Sequence, residues 1–303
     1  ELRKHLKSSR SIMCAVVIAT LAMIGSEKIA QAAPTVQRTI ELNDTVLSYR
    51  ERGEGPPVIF VHALLLDSRL WVDQLNEVCT QRRCLAPDLS GHGNSSPLLA
   101  TQVDQAKYAA ELLEFMDRVG ATQPAHVVGL SAGGVIATLL CRDHPQRCRS
   151  LTLISTTLDG ALDAASARYR AENARTVVLE GKDTLFRRFN EYIVSPSATL
   201  HARARYRSML EQTPYETLVA FLTTRSFPNL LEDNRSLSLP VMIPVGTGDS
   251  VVTQERAKSF STIFKNVRIV TLESAGRLLP LEASKELNTS LEVFWKSVED
   301  PEP

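Results

Sequence analysis

The fold is decided by the stretch His126-Val-Val-Gly-Leu-Ser131-Ala-Gly-Gly-Val-Ile-Ala-Thr-Leu-Leu140. It opens with an apolar run typical of a buried strand and closes with apolar residues at helical spacing. Between them lies a G-x-S-x-G pattern, in which Gly129 and Gly133 flank Ser131. We expect a sharp strand-to-helix turn, because the glycines lack the side chains that would hold strand and helix apart. Ser131 is therefore the candidate nucleophile, strained at the N-terminus of a helix.

A serine in a glycine-rich turn can also be purely structural, so the rest of the chain has to be considered. Further apolar runs at residues 58–62, 84–88, 241–245 and 267–271 predict more buried strands. The third of these runs leads into Gly-Thr-Gly-Asp249, and the fourth into Ser-Ala-Gly-Arg277. Predicted helices alternate with these strands, which favours a mostly parallel sheet covered on both faces.

This ordered set resembles the α/β-hydrolase family from about residue 35 to residue 295. The resemblance implies an α/β-hydrolase fold: a mostly parallel eight-stranded sheet with helices on both faces and an inserted helical lid. It implies that Asp249 is the catalytic acid and that the backbone N–H groups of Ala132 and Leu64 bind the oxyanion. The family's histidine base belongs at position 277, where this chain has Arg277. Residues 204–210 and 278–287 are most similar to the enol-lactonase-like branch of the family.

Arginine at position 277 removes the base that a serine nucleophile needs. A guanidinium stays protonated at any ordinary pH, so Arg277 cannot accept the proton of Ser131. We expect an ion pair between Arg277 and Asp249. His92 and His201 are the two histidines that could be recruited as a base instead.

The loop after the predicted strand at residues 58–62 departs from the family pattern at Ala63, where glycine is usual. Alanine fits this position only if its φ is negative. His62, just before it, is interpreted as a structural residue that braces the loop.

Three functions fit these observations. The first is a serine hydrolase of carboxylic esters or lactones by ancestry, with weak or altered activity. The second is a non-catalytic binding protein in which Arg277 holds the carboxylate of a small ligand. The third is non-hydrolytic chemistry at Ser131 that needs a fixed cation. No cofactor is predicted, and no metal site, because no cluster of histidines or carboxylates accompanies the cysteines.

The N-terminal segment reads as a secretory signal peptide over residues 1–32. Basic residues precede an apolar run at residues 12–24, and Ala30-Gln-Ala32 offers a cleavage site. An uncleaved anchor is the alternative. The predicted domains are then 33–155 and 237–303 for the core and 156–236 for the lid, in a periplasmic or secreted protein.

The charge balance limits the partners. Lys and Arg number 34 and Asp and Glu number 34, so nothing suggests nucleic acid or, after cleavage, a membrane surface as partner. The oligomeric state stays open. In the predicted lid, three arginines face either a ligand or solvent: Arg168, Arg170 and Arg175.

The cysteines form two local pairs besides Cys14 of the predicted signal peptide. The pairs are Cys79 with Cys84 and Cys141 with Cys148. Export would permit a disulfide in each pair, and buried free thiols are the alternative.

Overall fold

The computed structural model describes residues 34–98, 103–160, 164–224, 228–231 and 237–300. The predicted signal peptide lies outside the described residues. Eight strands form one sheet in the order β1-β2-β4-β3-β5-β6-β7-β8. The strands are β1 (Val36–Glu41), β2 (Val46–Arg52), β3 (Pro57–Val61), β4 (Arg83–Pro87), β5 (Ala125–Leu130), β6 (Cys148–Ile154), β7 (Leu237–Gly246) and β8 (Phe264–Leu272). Strand β2 runs antiparallel to β1 and β4, and the other neighbours are parallel, which confirms the predicted sheet.

Helices cover both faces of this sheet. They are α1 (Val72–Val78), α2 (Gln105–Arg118), α3 (Ala132–Asp143), α4 (Ala164–Glu180), α5 (Lys182–Ile193), α6 (Leu200–Gln212), α7 (Tyr215–Thr223), α8 (Gln254–Ser259), α9 (Leu279–Glu282) and α10 (Ser284–Glu299). Successive strand side chains point to opposite faces, so Ile59 packs in one hydrophobic cluster and Phe60 in the other. Helices α2 and α3 close the first cluster, and α1 and α10 close the second. None of the helices within the described ranges is long and apolar enough to cross a membrane.

The sheet order brings the candidate residues to one edge. Strands β5, β6, β7 and β8 are consecutive neighbours, and they run parallel. Their carboxyl ends therefore lie side by side, where open α/β sheets bind ligands. Ser131 follows β5, Asp249 lies just beyond β7 and Arg277 comes after β8.

Four helices, α4 to α7, lie between β6 and β7, and we call them the helical insertion. They occupy the region predicted as a lid, and the first of them, α4, extends to Glu180. The helix continues because Thr176 and Val177 are buried, and it ends at Gly181, whose φ is +84°.

Polar contacts fasten the insertion to the core. Arg205 pairs with Asp73 at 2.5 Å. The hydroxyl of Thr213 donates to the carbonyl of Leu65 at 2.8 Å.

Both predicted disulfides are present. Cys79 is bonded to Cys84 and Cys141 to Cys148, across sequence separations of 5 and 7 residues. Loops this short limit the unfolded chain less than long ones do, so each bond stabilises the fold by about 2 kcal/mol. Structural disulfides are characteristic of proteins in oxidising compartments.

Candidate active site

Ser131 occupies the turn between β5 and α3. Its φ of 53° and ψ of −119° lie in a region that residues with side chains rarely adopt. The backbone N–H of Ser131 donates to the carbonyl of Ile154 at 2.9 Å, which ties the turn to the neighbouring strand. The serine hydroxyl has no hydrogen bond to any residue that the structure describes and lines a cavity.

Close approach of backbone explains the glycines of this turn. A methyl group on Gly129 would overlap the carbonyl of Gly133, and one on Gly133 would overlap the carbonyls of Val61 and His62. Gly134 is also required, because a methyl group there would overlap the side chain of Thr156. The sequence pattern pointed to the first two glycines and not to the third.

The loop after β3 supplies the second predicted oxyanion donor. Ala63 avoids positive φ, and Leu65 adopts it instead, at 68°. Alanine is therefore compatible with the loop. The N–H of Leu64, like that of Ala132 at the first position of α3, donates to no other described residue, and both residues line the cavity with Ser131.

His62 braces this loop from behind. Its Nε2 accepts from the N–H of Leu89 at 3.0 Å, so Nδ1 carries the proton and donates to the carbonyl of Ala63 at 2.8 Å. Burial lowers the pKa of His62, which keeps the ring neutral. Both nitrogens are occupied, so the geometry matches a structural role.

Asp249 is buried in the loop just beyond β7, and both of its carboxylate oxygens accept hydrogen bonds. One oxygen accepts from the N–H groups of Val251 at 2.8 Å and Val252 at 3.0 Å. The other accepts from the hydroxyl of Ser155 at 2.6 Å.

The predicted ion pair between Asp249 and Arg277 is wrong. Ser155 lies between them: Nε of Arg277 donates to the Ser155 hydroxyl at 3.3 Å, and that hydroxyl donates to Asp249. Ser155 directly follows β6, the strand between β5 and β7. Its side chain therefore lies at the same sheet edge as Ser131 and Asp249, between Asp249 and the arginine. Its φ of 44° lies in the left-handed region that residues with side chains rarely adopt.

Sequence reasoning overlooked Ser155. It could have been found from its position directly after β6. The residues that follow the parallel strands β5 to β8 all lie at the same edge of the sheet.

The loop that carries Arg277 is fixed by one carboxylate. Glu282 accepts from the N–H of Gly276 at 2.6 Å and from the N–H of Ser195, in the helical insertion, at 3.3 Å. The guanidinium of Arg277 is half-buried and lines the cavity. Its terminal nitrogens make no hydrogen bond or ion pair with the part of the chain that the structure describes.

The cavity has a volume of about 300 Å³ and lies between the sheet edge and the helical insertion. Its walls are largely apolar, with Leu66, Val135, Phe189 and Leu278 among them. The sequence left open whether three arginines of the predicted lid face a ligand or solvent. Arg170 lines the cavity, whereas Arg168 and Arg175 are exposed.

The two histidines considered as replacement bases do not reach Ser131. His92 is buried, with Nδ1 at 3.0 Å from the carbonyl of Ser90, and burial lowers its pKa to about 3. His201 is exposed on α6. No histidine among the described residues lines the cavity or hydrogen-bonds to Ser131.

Comparison with known proteins identifies the family. The family model for the alpha/beta hydrolase fold matches residues 56–284. The chain belongs to the α/β-hydrolase family.

Individual relatives are distant. The chain is 24% identical over 241 residues to carboxylesterase YbfK of Bacillus subtilis, covering 78% of each protein. It is 38% identical over 120 residues to the dihydrolipoyllysine-residue acetyltransferase component of an acetoin cleaving system from Cupriavidus necator, but these are 40% of the chain and 31% of that protein. The crystal structure of the enol-lactonase from Burkholderia xenovorans LB400 superposes with a TM-score of 0.74 at 21% identity, over 86% of this chain and 100% of that one.

Proposed function

We propose that this α/β-hydrolase family member descends from serine hydrolases of carboxylic esters or lactones, and that its own turnover is weak or altered because Arg277 stands in place of the histidine base. One observation carries the proposal. The Ser131 hydroxyl lies in a cavity with Arg277, and no imidazole among the described residues is within hydrogen-bonding reach of it. The esterase and lactonase relatives support the ester or lactone class.

The remaining groups define what the site can still do. The N–H groups of Leu64 and Ala132, with the positive end of the α3 dipole, would stabilise the negative charge on a carbonyl oxygen under attack. Among the residues that the structure describes, none accepts the proton of Ser131 and none lies at the cavity as a base for the water of a later deacylation step. Loss of the base in serine hydrolases costs on the order of 10⁴ to 10⁶ in turnover.

Turnover of an activated ester tests this proposal. We expect kcat/KM for p-nitrophenyl acetate to be close to that of the Ser131→Ala variant, because little but the oxyanion donors assists the reaction. The purified protein should be assayed beside this variant, with fluorophosphonate labelling of Ser131 as a measure of its reactivity. A value within the ordinary enzyme range of about 10⁴ to 10⁸ M⁻¹s⁻¹ would contradict the proposal. So would turnover that survives the loss of Ser131.

The second candidate function is the binding of a small carboxylate without turnover. It is favoured by the terminal nitrogens of Arg277, which face the cavity region without a partner among the described residues. A guanidinium binds a carboxylate through two parallel hydrogen bonds. In this function the bound carboxylate would take the place that a scissile ester has in the relatives.

We also propose that the protein is exported, with cleavage after Ala32. Support comes from the order of basic residues, apolar run and cleavage site, and from the two disulfides. Mass spectrometry of the protein from its native host should find a mature N-terminus at Ala33. An intact leader on a cytosolic protein would refute export.

A further inference from the structure

A single hydroxyl group joins the two charged side chains of the candidate active site. Nε of Arg277 donates to the Ser155 hydroxyl at 3.3 Å, and that hydroxyl donates to a carboxylate oxygen of Asp249 at 2.6 Å. A hydroxyl has one proton, so Ser155 gives that proton to Asp249 and accepts from Arg277 through a lone pair. The charges at the two ends therefore fix the direction of both hydrogen bonds.

The backbone conformation of Ser155 is unusual for a serine. Its φ of 44° lies in the left-handed region, which glycine adopts without strain. Residues with side chains that are held in this region cluster at functional sites. Ser155 is buried, and it lines the cavity together with Ser131 and Arg277. The conformation alone would favour glycine, so we attribute the serine to its hydroxyl.

Asp249 would attract the guanidinium of Arg277 if this hydroxyl were absent. One oxygen of Asp249 already accepts from the N–H groups of Val251 and Val252, at 2.8 and 3.0 Å. Without Ser155, the other oxygen would lose its donor, and the loss of a donor is costly for a buried carboxylate. A guanidinium and a carboxylate that nothing separates pair through two parallel hydrogen bonds. Arg277 is joined to this oxygen through one atom, so it would turn towards Asp249.

With Ser155 in place, the outer part of the guanidinium stays in the cavity. The terminal nitrogens of Arg277 carry four N–H donors, and they make no hydrogen bond with any residue that the structure describes. The cavity has a volume of about 300 Å³ and largely apolar walls. This combination suits a monocarboxylate with a short hydrocarbon chain, because the carboxylate pairs with the guanidinium and the chain packs on the walls.

We propose that Ser155 is the positioning residue of this cavity. Its hydroxyl keeps the guanidinium of Arg277 apart from Asp249 and directs the terminal nitrogens to the carboxylate of a short-chain monocarboxylate. This inference rests on the proposed carboxylate-binding function, and it adds the ligand class and the residue that makes the arginine accessible. Positions 155 and 277 would then act as a pair, so that Arg277 alone does not make an anion site.

Arginine-specific labelling of the full chain, with both disulfides intact, tests the proposal. Phenylglyoxal adds to guanidinium groups, and mass spectrometry of peptides gives the rate at Arg277 relative to Arg268, which is exposed on β8. We expect the relative rate at Arg277 to fall about tenfold or more in Ser155→Ala, because pairing with Asp249 withdraws the terminal nitrogens from the cavity.

Two further variants separate this effect from a change in the fold. Asp249→Asn in the Ser155→Ala background removes the charge that captures Arg277, so the labelling rate should return towards that of the wild type. Ser150→Ala removes another buried hydroxyl of β6, the one 2.7 Å from Nδ1 of His126, and should leave the rate unchanged. Unfolding would raise the rate at Arg277, which is opposite to the expected change.

Hexanoate and its neutral analogue hexanamide test the carboxylate-binding function in the same assay. We expect hexanoate to protect Arg277 of the wild type from labelling and hexanamide to give no protection. Equal labelling rates in the wild type and Ser155→Ala would overturn the positioning role, even if hexanoate protects. So would a lowered rate that does not return when Asp249→Asn is added. If the labelling rates change as expected but hexanoate does not protect, the positioning role stands and the carboxylate-binding function is wrong.

Discussion

At the residue scale, the hydroxyl of Ser155 separates the side chains of Arg277 and Asp249, because it accepts from the first and donates to the second. The sequence placed Arg277 after the last strand, and the structure places it in the cavity with Ser131. A direct contact with Asp249 was expected because the family resemblance places position 277 within reach of Asp249 and because the two side chains carry opposite charges. That expectation neglected Ser155, whose hydroxyl satisfies one Asp249 oxygen at 2.6 Å and accepts from Arg277. The contacts among Asp249, Ser155 and Arg277 depend on where the three side chains lie in space. Spacing along the chain does not give those positions.

Another residue-scale feature is His126, which is fully buried in β5. Its Nδ1 lies 2.7 Å from the Ser150 hydroxyl and its Nε2 lies 3.1 Å from a Glu299 oxygen. Burial lowers the pKa of His126 to about 4, despite the opposing effect of Glu299. In an unfolded chain histidine titrates near 6.5, so between about pH 6.5 and 4 the unfolded state binds the extra proton.

We predict that His126 contributes to a loss of stability as the pH falls. The free energy of unfolding should decrease from about pH 6.5 to 4, with roughly 2–4 kcal/mol of the decrease due to this histidine. Urea unfolding at several pH values should show a shallower decrease for His126→Gln than for the wild type. The pKa values of His62 and His92 are also lowered by burial, but both residues are present in both proteins, so the difference between the curves isolates the effect of replacing His126. Parallel curves would contradict the prediction.

At the scale of elements, the strand–turn–helix that carries Ser131 was the most predictable part. Two apolar runs of different period, joined by glycines, predict it without reference to the rest of the chain. The interaction of this turn with the segment after β6 was not predictable. Gly134 approaches Thr156 so closely that each limits the size of the other.

This contact predicts non-additive substitutions. Gly134→Ala should destabilise the fold by roughly 1–3 kcal/mol, because the added methyl group overlaps Thr156. Thr156→Gly alone should also destabilise, since it removes the bond from the Thr156 hydroxyl to the carbonyl of Ile154 at 3.1 Å. In the double variant, the loss of unfolding free energy should be smaller than the sum of the two single losses by about 0.5 kcal/mol or more. Chemical denaturation of the three variants measures this difference. Strict additivity would show that the two positions do not interact.

At the scale of the whole molecule, the order of strands and the position of the helical insertion followed from the family resemblance. The faces of the insertion helices did not. Of the three arginines spaced along α4, Arg170 lines the cavity and the other two are exposed. The apolar residues of α4 form no clear stripe from which the buried face of the helix could be predicted. Helices that pack on both a core and a cavity lose the simple periodicity of a surface helix. The cavity wall formed by the helical insertion is therefore the part of the candidate site that sequence patterns predict least.

The central claim is that Arg277 replaces a base in an otherwise intact nucleophile site, and one substitution tests it most directly. Arg277→His returns an imidazole to a position beside Ser155 and Asp249, and Arg277→Gln removes the charge without adding a base. We predict that p-nitrophenyl acetate turnover rises by about 10² or more in Arg277→His, since a positioned general base contributes that much. It should not rise in Arg277→Gln, and Ser131→Ala in the Arg277→His background should abolish the gain. If folded Arg277→His shows no gain, or a gain that persists without Ser131, the account of this site is wrong.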